Sequence, residues 1–170
     1  MKIEFVIDDS IHYPLNYSNL ARIVDCIEDN VEQQDLFHVL AQSEFTRIRE
    51  CIAGMDCLHE ETVHLLAHDP QIEVLRRIIS SDSGKKYLTT ETLLQLVEQG
   101  DYEVMDTLSS RLEEYQLCNI EQVFQKMIEH PDPAVRYKLA TNRDIPAKLR
   151  QKLAKAPDPL LAKLAQKNLK

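Results

Sequence analysis

The sequence predicts an all-α chain of stacked helix pairs, and three observations predict it. Five stretches share one apolar spacing: eight residues past Leu40, Leu66, Leu96, Met127 and Leu153 stand Ile48, Val74, Val104, Val135 and Leu161. Twelve residues past the first four anchors come Ile52, Ile78, Leu108 and Leu139, whereas the fifth offers Ala165 with Leu164 beside it. Four residues past the anchor a helix breaker recurs, as Pro70, Gly100, Pro131 and Pro157, with only Glu44 in the first stretch departing. The anchors repeat at intervals of 26, 30, 31 and 26 residues. A fixed internal register with variable spacers suits helix pairs joined by elastic loops. One pair buries too little alone, so the pairs are expected to stack into a solenoid.

Taken in order, residues 1 to 14 alternate Ile3, Phe5 and Ile7 with Glu4, Val6 and Asp8, which predicts a short extended or strand-like segment. Ser18 is the candidate N-cap of a capping helix whose apolar stripe is Leu20, Ile23, Val24, Ile27 and Val31. Residues 1–34 are thus a lead-in and cap, and residues 35–170 hold about five helix pairs, each with a longer first helix and a shorter second one. Asp101, Asp132 and Asp158 follow the breaker, and Pro133 and Pro159 come next in the last two pairs, a combination that starts a helix. First helices have start signals in Thr90, in Asn119 with Gln122, and in Pro146. Ser80 to Lys86 reads as a loop between pairs.

Composition bounds the rest. At 170 residues, 44% apolar, with three glycines and no linker-like tract, the chain is expected to be a single domain, 1–170. Neither a secretory signal nor a run long enough to span a membrane is present, and a cytoplasmic protein is expected. Cys26, Cys51, Cys57 and Cys118 are scattered and expected to be reduced. The net charge of −8 is uneven: residues 1 to 142 carry 12 basic and 26 acidic residues, while 143 to 170 carry eight basic and two acidic. An acidic body disfavours nonspecific nucleic-acid binding, and a basic tail could meet an acidic partner or the acidic end of another copy.

The run from His130 to Asn142, with Pro131-Asp132-Pro133, Val135-Arg136 and Leu139-Ala140, followed by Ile145-Pro146 and by Pro157-Asp158-Pro159, resembles the leucine-rich repeat variant family within the wider HEAT-like group. The likeness covers about residues 120 to 165; upstream, His68-Asp69-Pro70 and its neighbours keep part of the motif. The resemblance implies a right-handed α–α superhelix, a HEAT-like solenoid, and roles in scaffolding more than in chemistry. Some similar proteins carry a cysteine-held iron–sulfur cluster and others are DNA glycosylases. The dispersed cysteines, the lack of Trp and the acidic balance here match neither.

Candidate site residues lie on the second helices. Arg49, Arg76, Arg77, Arg136, Lys138 and Lys163 fall between the second and third apolar positions, with Asp106 at that place in the third pair. Stacking would align them into a basic ridge that docks an acidic partner protein; alternatively they pair internally with loop aspartates such as Asp101 and Asp132. His59, His64 and His68, with His38 one pair earlier, raise a metal reading, but His59 and His64 are five apart and do not form the metalloprotease motif. No nucleophile, phosphate loop or cofactor motif stands out. The expected function is a noncatalytic protein–protein interaction module, an adaptor or inhibitor without cofactor or metal. The alternative is nucleic-acid binding through the ridge and the tail from Lys148 to Lys170.

Overall fold

Burial follows the expected register residue by residue. In the computed structural model, which describes residues 4–7, 11–14 and 17–167, all fifteen positions from Leu40 to Ala165 are at most 2% exposed. Ala165 is the buried member of the fifth pair and Leu164 is only half-buried. Two short strands, β1 (Glu4–Ile7) and β2 (Ile11–Pro14), pair antiparallel, with Phe5 opposite Tyr13. All remaining regular structure among the described residues is helical, beginning with α1 (Tyr17–Val24).

The chain divides into two compact units, 1–83 and 84–170. In the first unit, α2 (Gln34–Leu40) and α3 (Thr46–Ala53) form one pair, and α4 (Glu60–Leu66) and α5 (Ile72–Ile78) the next. First helices lie against first helices, α2 on α4, and second against second, α3 on α5, while α1 packs on α3. The helix α6 (Asp82–Tyr87) follows at the boundary. The second unit repeats the arrangement with α7 (Thr90–Gln99), α8 (Tyr102–Arg111), α9 (Ile120–Ile128), α10 (Pro133–Thr141), α11 (Ala147–Leu153) and α12 (Pro159–Lys167). There α7 packs on α9, α8 on α10, and α10 on α12.

The breaks form where the breakers stand. Gly100 closes α7 in the left-handed region at φ +70°, and a Cβ there would sit 3.0 Å from the His130 ring, so both conformation and space require glycine. Asp101, Asp132 and Asp158 each accept backbone N–H groups at the starts of α8, α10 and α12. Proline occupies the first position of the last two. The first pair lacks a breaker, and the Ser43 hydroxyl does the work by accepting the Phe45 N–H at 3.2 Å, which offers the backbone an alternative to continuing α2.

Several expectations are corrected. Second helices are not shorter: the five pairs measure 7 and 8, 7 and 7, 10 and 10, 9 and 9, and 7 and 9 residues. Packing side by side favours matched lengths. The capping stripe does not run as one helix, because α1 ends at Val24, and Asn30, accepting the Glu32 N–H, starts a separate 3-10 turn at Val31–Gln33. Val31 is 68% exposed in consequence. Ser18 falls inside α1 rather than ahead of it. The α7 cap is Thr89, accepting from Thr92, and Thr90 instead accepts the Asn119 N–H. Pro146 precedes α11 by one residue.

Ser80 to Lys86 is a helical turn over much of its length rather than a loop. Its start is held from outside: Asp56 accepts the Asp82 N–H at 2.7 Å, and the Ser83 hydroxyl accepts the Leu58 N–H at 2.8 Å. Asp29 does the same one repeat earlier for the N–H groups of Asp56 and Cys57. Tertiary contacts thus override weak local propensity.

The buried Ala165 generates a test. Ala165→Leu inserts side-chain volume into a filled seam and should cost about 1–3 kcal/mol, whereas the half-buried Leu164→Ala should cost less than the 2–5 kcal/mol typical of a core leucine. Urea unfolding midpoints of the two variants should therefore rank against residue size.

Candidate functional site

The six ridge residues are largely engaged within the protein. Arg49 is 13% exposed and Asp69 5%, and they form a two-bond pair at 2.5 and 3.2 Å, while a third donor of Arg49 reaches the Ser43 carbonyl at 2.8 Å. Arg136 holds the same repeat position, nine residues past its anchor, and makes the equivalent contacts. It donates to the carbonyls of His130 and Pro131 in its own turn and faces Asp158 of the next pair at 3.8 Å. Arg49 and Arg136 thus meet Asp69 and Asp158, which, like Asp101 and Asp132, also accept N–H groups at helix starts. Charge-assisted bonds to turn carbonyls satisfy groups that a helix end leaves open.

The remaining members vary, Arg77 being 58% exposed. Arg77 lies 3.6 Å from Glu50, which also holds Arg47 at 3.0 Å. Lys138 sits 3.4 Å from Asp106 and 4.6 Å above the Tyr102 ring, and its hydrogen bond to Tyr102, seconded by Asp106, raises its pKa. Arg76 is half-buried with bonded neighbours, and Lys163 is exposed on α12. Arg49, Arg76 and Arg77 belong to the first unit and Arg136, Lys138 and Lys163 to the second.

Along the first helices of the second unit, charge also ties neighbours together. Lys126 meets Glu98 at 2.7 Å, and Lys148 and Lys152 meet Glu121 at 3.6 and 3.0 Å. The Lys126 and Lys152 hydrogen bonds hold Glu98 and Glu121 below the usual carboxylate range. Burial pushes the Cys118 thiol up to about 11 and raises Cys51, whose thiol donates to Asp25.

A different surface is left open. Between α2 and α4 runs a cleft of about 610 Å³ lined by Asp35, His38, Val39, His59, Glu60 and Glu61. Val39 is 46% exposed, and Leu36 and Leu65, each 41% exposed, stand one helical turn from Val39 and Glu61 on the same helices. His38 Nδ1 lies 2.9 Å from the buried Thr62 hydroxyl and ties the floor together. His59 is 3.4 Å from Asp35, His64 3.6 Å from Glu60, and His68 Nδ1 is 2.7 Å from the His64 carbonyl. The imidazoles are therefore dispersed over separate partners, and among the described residues no group of three or more His, Cys, Asp or Glu converges to hold a metal.

No family model, curated protein or solved structure matches this chain. The function must be argued from the surface itself.

Sequence reasoning passed over the cleft, although a signal for it exists. From residue 23 to 46 and again from 50 to 75 there is no Lys or Arg, and each stretch holds six carboxylates. The exposed Leu36, Val39 and Leu65 carried no such signal, because they adjoin buried apolar residues such as Phe37, Leu40 and Leu66 in sequence.

Two measurements check this account. Arg49→Met should lower stability by about 3 kcal/mol by stranding the buried Asp69, and adding Asp69→Asn should recover part of that loss in the denaturation midpoint. Among the thiols, Cys118 should be alkylated far more slowly than an ordinary cysteine at pH 8, because a pKa of about 11 leaves little thiolate there. Peptide mass spectrometry after timed labelling should show its rate climbing as pH approaches that value.

Proposed function

We propose that this protein is a noncatalytic, cytoplasmic protein-interaction module, an adaptor or inhibitor, whose helix pairs stack within each unit in the manner of a right-handed superhelix. The common apolar register of the five pairs and the packing of alternate helices inside each unit support that stacking. Among the described residues no helix is long and apolar enough to cross a membrane. The observation that carries the interaction reading is the α2–α4 cleft, which exposes Val39 among Asp35, Glu60 and Glu61, with the exposed Leu36 and Leu65 nearby on the same helices. Apolar contact rimmed by charge is the anatomy of a protein interface.

This reading moves docking from the second helices to the first. Arg49 and Arg136 spend their donors on protein acceptors, so the nucleic-acid alternative is left with the exposed Arg77 and the Lys-rich C-terminal helices. The Val39→Asp, Leu65→Asp double variant should keep its unfolding transition, since both sites are already wet, and should lose at least tenfold in recovery of cross-linked protein partners from native lysate. Undiminished recovery of the same partners would remove the cleft from consideration.

A further inference from the structure

We infer that the α2–α4 cleft binds the α12 helix of a second copy of this chain. The inference rests on reading that cleft as a docking surface. The cleft wants a helix that is apolar on one side and basic at its margins, because Val39 lines it among Asp35, Glu60 and Glu61, with the exposed Leu36 and Leu65 one helical turn away on the same two helices. This chain displays such a helix. On α12, Leu160 is 49% exposed, and Lys163 and Lys167 are exposed three and seven residues later, so the three share one face. Leu164 is half-buried on the same side.

The charges of the two elements are available for a new contact. Lys148 and Lys152 are engaged with Glu121, and Asp158 with Arg136, whereas Lys155, Lys163 and Lys167 have no carboxylate partner among the described residues. Glu61 likewise has no cationic partner among the described residues, and Asp35 and Glu60 meet only histidines. The first unit holds 6 basic and 16 acidic residues, while residues 147 to 167 hold six basic and one acidic. Opposite fields of this kind orient and accelerate encounter. The contact joins two different patches, so it is heterologous and either closes reciprocally or extends to further copies.

The test is sedimentation velocity of the purified full chain across a concentration series. Wild-type protein should associate, and raising salt from about 0.05 to about 1 M should weaken that association at least tenfold, as the screening length shrinks to about 3 Å. Lys163→Glu with Lys167→Glu, and separately Glu60→Lys with Glu61→Lys, should each weaken it at least tenfold. All four sites are exposed, and circular dichroism should confirm that both variants fold. Mixing the two reversed variants should restore a complex that neither forms alone. A wild-type chain that stays monomeric near about 1 mM at low salt, or association indifferent to both reversals, would overturn the inference. In that event, partner recovery that still depends on Val39 and Leu65 would leave the interaction reading intact and assign the cleft to a foreign basic helix.

Discussion

Everything in this protein depends on keeping one apolar seam in register. Position one closes the first helix of a pair, and positions eight and twelve later sit on successive turns of the second, so a shift of one residue in either helix would turn the seam toward water. Because all five pairs keep that spacing, each presents the same contact surface to its neighbour within a unit. The variable lengths fall in the connections and in the first helices, which run from 7 to 10 residues, and not between the seam positions of a pair.

That regularity creates a repeated chemical problem at the turns, where each helix end leaves carbonyl and N–H groups without intrahelical partners. The chain meets it with acceptor side chains three or five residues past each anchor. Ser43, Asp69, Asp101, Asp132 and Asp158 accept N–H groups just after the break. Arg49 and Arg136 then cover carbonyls of their own turn and reach the aspartate of the next, so a single side chain joins local turn geometry to the stacking of pairs. Asp29 and Asp56 carry a parallel ladder between the loops at residues 56 and 82. Arg49 and Arg136 thus serve the fold, whereas Arg77 and Lys163 of the same row stay exposed.

The surface that remains is divided by charge. The first helices of the first unit expose leucine and valine amid carboxylates and histidines, with no lysine or arginine close in sequence. The last helices expose leucine amid lysines. Neither arrangement improves the core, and each exposes apolar groups that burial against a partner would stabilise. The two surfaces are opposite in charge.

The sequence by itself determined the helix pairs, their seam, and the caps at Asp101, Asp132, Asp158 and Asn119, because helical periodicity and capping act within a few residues. Even the weak-looking Ala165 was legible as a seam position from spacing alone. What only the tertiary structure decided was which charges are spent and which helices stop early. Arg49 finds Asp69 twenty residues away, α6 is nucleated by Asp56, and α1 yields at Val24 to a competing cap at Asn30. Such choices depend on groups far apart in sequence competing for the same hydrogen bonds, and that competition is settled only once the helices have packed.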